Sequence, residues 1–173
     1  SEFTFSPEEK ITFSQAIKIL ISVLGYTPDA ELEGGFPIGY LSIANRLHLI
    51  DLIINTENSI TRGEAALYLY RATDTKCMER TVFGSKEMYN KKSQTLLEKY
   101  HNIEKLEAIV TEAGSASLTG TEVKDEQYFV ADGVQYECGQ MDMANFLGQR
   151  TIFYIQHADT NNTSVALYAF SDS

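Results

Sequence analysis

Apolar residues recur at helical spacing in three early stretches, and at strand spacing from residue 103 onward. Ile17, Leu20, Ile21 and Leu24 follow Thr12 in three- and four-residue steps, which predicts an amphipathic helix over 12–24 closed by Gly25. Leu41, Ile43, Ala44 and Leu47 predict a second helix over 38–48, with Pro37 suited to its first turn. The third runs over 61–72, with Ala65, Ala66, Leu67 and Leu69 turned to the core and Tyr68 and Tyr70 at its edges. Between these helices, Pro7 to Glu9 suits a first helical turn, Thr27 to Asp29 starts a turn, and 29–33 is an exposed acidic stretch. Leu49 to Ile54 is an apolar run that packs beneath the third helix, and Asn55 to Ser59 is a polar loop.

The first and third helices begin alike. Thr61 is an N-cap residue, Glu64 stands three positions on to complete a capping box, and Ile60 can staple against Ala65. Thr12 and Gln15, preceded by Ile11, repeat that frame 49 residues earlier. A spacing of this order points to repeated supersecondary units. The cap does not need Arg62, which opposes the helix dipole in the first turn. Its ordinary role would be to pair with a surface carboxylate; beside free N–H groups it would instead attract an anion.

Residues 74–102 are rich in lysine and read as a connecting segment, helical from about Ser93 to His101. Their charges do not align on one face, which favours a solvated connector over a contact with an acidic polymer. After residue 103 the alternation of Leu106, Ala108 and Val110 predicts a strand. Gln127–Ala131 and Val134–Cys138 predict a hairpin about Asp132-Gly133. A short helix over Met141–Leu147, strands at Thr151–Ile155 and Ser164–Phe170, and turn-rich Ala158–Thr163 complete the pattern. The sum is a small closed or half-closed β-barrel.

Composition narrows the function. A net charge of −10 argues against a nucleic-acid partner, which needs a basic face for phosphates. No apolar run reaches the length of a membrane span. Cys77 and Cys138 are far apart; a disulfide between them is one option and two separate thiols the other, the latter favoured. His48, His101 and His157 carry no metal spacing, so no metal or cofactor is expected. Carboxylate pairs such as Glu31/Glu33 and Asp125/Glu126 fall in loops without a placed partner, and no nucleophile elbow or phosphate loop is present, so the chain reads as non-catalytic.

Three motifs fall in order: Gly34-Gly35-Phe36-Pro37-Ile38-Gly39-Tyr40, then Leu47-His48-Leu49-Ile50, then Ile60-Thr61-Arg62-Gly63-Glu64-Ala65-Ala66. Together they resemble an S-layer homology repeat of Gram-positive spore-formers. Residues 27–73 match one full repeat, and 5–26 match the closing helix of a preceding one. The resemblance implies an α+β chain: S-layer homology repeats over 1–73, a connecting helix over 74–102, and a small β-barrel-like domain over 103–173. It also implies a segment of a longer surface protein, held outside the cell on the wall. In that family, grooves between repeats bind the secondary cell-wall polysaccharide, often at a pyruvylated sugar. Carried over by position, Arg62 would bind the acidic group, Thr61 and Gly63 would shape the helix start, and Glu64 would hold the cap. Gly34 and Gly35 would allow close approach of a sugar, and Tyr40, more than Phe36, would stack on it.

Departures from the family pattern bear on this. Phe13 and Gln15 replace the arginine and glutamate of the first repeat, and Asn55-Thr56-Glu57-Asn58 stands where an Asp-Gly-Thr-Phe phrase is common. The alternative is an assembly module whose degenerate repeats pack on the β domain, or on other copies of the surface protein, and bind no glycan. The β region itself resembles modules of clostridial surface proteins through Asp132-Gly133-Val134 and Phe146-Leu147-Gly148. No function follows from that likeness.

Overall fold

The computed structural model describes residues 8–51, 57–83, 86–91, 94–114, 116–120, 125–158 and 163–171, with backbone alone over 80–83 and 86–91. The chain is mixed α+β and divides into two compact units, 1–96 and 97–173. The turn expected at Pro7, the run Leu52–Ile54 and most of the 158–163 turn include positions outside the described residues.

Unit one opens with α1 (Phe13–Val23), α2 (Thr27–Leu32), α3 (Ile38–Arg46) and α4 (Arg62–Thr73). Both expected capping boxes form. Thr12 Oγ accepts from the Gln15 N–H at 3.3 Å, and the Gln15 side chain accepts from the Thr12 N–H at 2.9 Å. Thr61 and Glu64 do the same at 3.2 and 2.8 Å. The segments before the two caps pair antiparallel. Phe13 N donates to Asn58 O at 2.8 Å, Ile60 N donates to Ile11 O at 3.1 Å, and Thr12 bridges Ser59. Ile17, Ile21 and Leu24 of the α1 stripe are fully buried with Tyr40, Ile43, Ala44 and Leu49.

Gly25 ends α1 at a φ of +88°, and a Cβ there would stand 2.1 Å from the Met78 carbonyl oxygen. The next segment therefore lies directly on the helix end, where Met78 N donates to Leu24 O at 2.8 Å and the Tyr26 hydroxyl donates to Lys76 O at 3.0 Å.

Four expectations need correction here. Residues 27–32 are a helix, not an acidic turn. Its carboxylates are engaged by α3: Glu31 accepts from the Tyr40 hydroxyl at 2.7 Å, and Glu33 from Ser42 at 2.7 Å and from Arg46. The inward face of α4 is Ala65, Tyr68 and Ala72, while Leu67, Leu69 and Tyr70 are exposed. Tyr68 meets the edge of Phe13 with ring centroids 5.7 Å apart, and that contact sets the rotation of the helix. Residues 78–91, expected within a helical connector, form an antiparallel ribbon of β1 (Met78–Phe83) and β2 (Lys86–Lys91). Alternating polar and apolar residues, including Arg80-Thr81-Val82-Phe83, override the charge-based reading of that stretch. Helix α5 (Leu96–His101) is the shorter form of the one expected from Ser93.

Unit two carries β3 (Ile103–Ala113), β4 (Ala116–Ser117), β5 (Tyr128–Ala131), β6 (Val134–Glu137), β7 (Arg150–Gln156) and β8 (Val165–Ser171). Strand β3 is paired antiparallel on one edge by β5 and on the other by β7, along the whole span Ile103–Ile109. The order runs β4-β3-β5-β6-β8-β7, and β6 meets β8 in parallel at Glu137 and Val165. Asp132 and Gly133 both have positive φ, as a two-residue hairpin turn requires. Ala108 and Val110 face inward with Phe129, Phe153 and Ile155, as the alternation predicts. The expected helix over Met141–Leu147 is a single 3-10 turn, Met143–Phe146, capped by Asp142. Cys77 and Cys138 are both free and buried.

Two glycines of unit one should respond oppositely to alanine. A Cβ at Gly39 would stand 1.9 Å from the Ala30 carbonyl oxygen, whereas one at Gly63 meets no atom within 4 Å. Gly39→Ala should lower stability by about 1–3 kcal/mol, the cost of overpacking. Gly63→Ala should raise it by about 0.4–1 kcal/mol through the unfolded state. Urea unfolding of both variants checks this; equal midpoints would contradict the packing of α2 on α3.

Candidate functional site

The start of α4 is built from backbone groups whose partners are already assigned. Thr61 sits in extended conformation, and its hydroxyl both accepts from the Glu64 N–H and donates to Glu64 Oε2 at 2.7 Å. Those bonds, the hydroxyl first and the Thr61 N–H second, hold the Glu64 carboxyl below its ordinary range. Thr61 and Glu64 are thus consumed by the cap. Arg62 is not. Its side chain is exposed, and among the described residues no carboxylate lies within ion-pair distance of it. The contrast with its peers is direct: Arg71 pairs with Asp51 at 2.8 Å, Arg150 with Glu107 at 2.7 Å, and Arg46 with Glu33. Open space beside Gly63 leaves the first turn approachable.

A second cluster surrounds the glycine-rich turn. Gly34 has open space where a side chain would be, and Gly35 donates its N–H to Ala30 O at 3.0 Å. The two aromatics after them exchange the roles expected from sequence. Tyr40 is 1% exposed, and its hydroxyl is tied to Glu31, so its ring is unavailable for stacking. The bond to Glu31, then burial, pushes its phenol upward. Phe36 is 48% exposed. Lys18 of α1 places its ammonium 5.1 Å from the Phe36 centroid and 5.5 Å from that of Tyr40. Sequence reasoning missed Lys18. Its signal was faint: a lysine on the polar side of the α1 stripe, one position after buried Ile17.

The start of α1 offers no equivalent arginine. Phe13 occupies that position and is buried against Tyr68. Among the described residues, no hydrogen bond or ion pair joins Arg62 to Gly34, Gly35 or Tyr40, so the expected set falls into two clusters. None of the described groups of histidine, cysteine and carboxylate residues is suited to a metal. No described helix is long and apolar enough to cross a membrane.

Comparison with family models, curated proteins and solved structures finds no match to this chain.

The Glu64 carboxylate makes a prediction about acid. A carboxyl held low in the folded state contributes stability that is complete above its ordinary value of 4.5 and is lost as pH falls through the lower folded value. Glu64→Gln keeps a side-chain acceptor, as Gln15 does naturally, but cannot titrate. Thermal unfolding between about pH 7 and pH 3 should therefore fall less steeply in Glu64→Gln than in the wild type. Solvent screening keeps the difference small. Parallel curves would contradict the capping role of the ionised carboxylate.

Proposed function

We propose that unit one is a non-catalytic wall-anchoring module that binds an acidic secondary cell-wall polysaccharide through Arg62. The observation that carries this reading is the exposed, unpaired guanidinium of Arg62 at a capped helix start. A guanidinium fork matches a sugar carboxylate in two hydrogen bonds, and adjacent N–H groups favour the same charge. Exposed Phe36 supplies a face for a sugar ring, with Lys18 above it as a second cation. The order of the three motifs and the paired capping boxes support S-layer homology repeats, one full and one partial, with a location on the cell surface.

In unit two, the circuit β3–β5–β6–β8–β7 back to β3 supports a small closed barrel. An assembly role is the second reading, favoured by one observation. The outward side of α4 carries Leu67, Leu69 and Tyr70, each at least two-fifths exposed. That side would cover another segment or copy of the surface protein.

Sedimentation with wall sacculi separates the two readings. The intact chain should pellet with sacculi that retain their secondary polymer and stay in solution when acid has stripped it. Arg62→Ala should lose pelleting while keeping its circular-dichroism spectrum. Pelleting that survives both stripping and Arg62→Ala, or no pelleting at all, would overturn glycan anchoring and leave the assembly reading.

A further inference from the structure

Of the chain's two cysteines and four methionines, Cys138, Met141 and Met143 lie within six residues of one another. All three line one cavity of about 320 Å³ in unit two. Two backbone devices bring them there. The first is a hydrogen-bonded turn, in which Met141 N donates to Cys138 O at 3.1 Å. A turn of this kind holds its end Cα atoms within about 7 Å. Gly139 permits it: its φ is +60°, and a Cβ would stand 2.5 Å from the Ala166 carbonyl oxygen. The second is the cap on the 3-10 turn, where Asp142 Oδ1 accepts from the Ala144 N–H at 3.2 Å. This starts the turn at Met143, which is 2% exposed.

Packing alone accounts poorly for this arrangement. Methionine is a flexible filler of irregular gaps. Here two of them border a cavity that they leave open, and Met141 is only half-buried beside it.

We infer that Cys138, Met141 and Met143 form a three-sulfur site for a monovalent soft metal ion, Cu(I) or its analogue Ag(I). Thiolate and thioether donors select such ions. One thiolate and two neutral thioethers give a complex of zero net charge, suited to a buried position. The cavity lining holds no histidine and two carboxylates, Glu126 and Asp142, and Asp142 is engaged in the cap. That donor set fits neither the tetrahedral nitrogen and sulfur preference of zinc nor the six or more oxygens of calcium.

Before metal arrives, the Cys138 thiol donates to the Glu126 carbonyl at 3.7 Å. Burial first, and the Asp142 and Asp125 charges second, push that thiol upward, so it is protonated at neutral pH. Metal entry replaces the S–H bond with an S–Cu bond, and the proton leaves to solvent. No electron is transferred, and the metal remains Cu(I). The same carboxylates that hold the proton favour a cation in its place.

Competition for Cu(I) held by bicinchoninate tests this without any activity assay. The intact chain would be used anaerobically, carrying Cys77→Ser to remove the other thiol. It should withdraw one equivalent of metal, with affinity falling about tenfold per pH unit toward acid as one proton competes. Cys138→Ser should abolish withdrawal. Met141→Leu, a volume-conserving change at a half-buried position, should weaken it by about tenfold or more. No withdrawal by the parent, or withdrawal unchanged in Cys138→Ser, would overturn the site. Withdrawal unchanged in both Met141→Leu and Met143→Leu would also overturn it, leaving a cysteine that captures metal alone. Should Cys138→Ser fail to fold, Met141→Leu decides.

Discussion

The antiparallel clasp between residues 11–13 and 58–60 sets the geometry on which unit one depends. Two backbone bonds, Phe13 N to Asn58 O and Ile60 N to Ile11 O, tie together the segments that lead into α1 and α4. Each cap then satisfies its own first-turn donor and no longer needs an outside ligand. With both helix starts fixed side by side, Phe13 meets Tyr68, and α4 presents Ala65, Tyr68 and Ala72 inward. Arg62, one residue past its cap, is left facing solvent. The clasp thus joins a folding constraint to a functional one: the same residues that register the helices expose the cation.

The two repeats have divided their labour along that clasp. At the first, Phe13 spends the position on packing and Gln15 makes an uncharged box. At the second, the box is charged and the next side chain is free. A purely structural second box would gain nothing from an arginine that opposes the helix dipole there. The local conflict between helix propensity and residue choice is what points to a ligand.

Much of this was legible in the chain. The capping boxes follow from side-chain chemistry at three-residue spacing, and the β3 and hairpin faces follow from strict alternation about Asp132-Gly133. What sequence did not disclose was tertiary. The face of α4 is chosen by a ring contact with a residue 55 positions earlier, so Leu67 and Leu69, apolar by type, end outside. Tyr40 and Phe36 exchange roles because Glu31, on an unexpected helix, captures the Tyr40 hydroxyl. The closing of β3 against β7 and the parallel meeting of β6 and β8 rest on pairings that a one-dimensional pattern does not encode.

The central claim is that the first turn of α4 is an anion site built around Arg62. Amide chemical shifts of the labelled chain, followed while a pyruvyl-ketal monosaccharide is added, test it most directly. The account predicts saturable shifts concentrated at Arg62, Gly63 and Glu64, with a second group at Gly34 to Phe36 if the ring stacks there. Shifts absent from 61–64, or confined to residues 97–173, would contradict it.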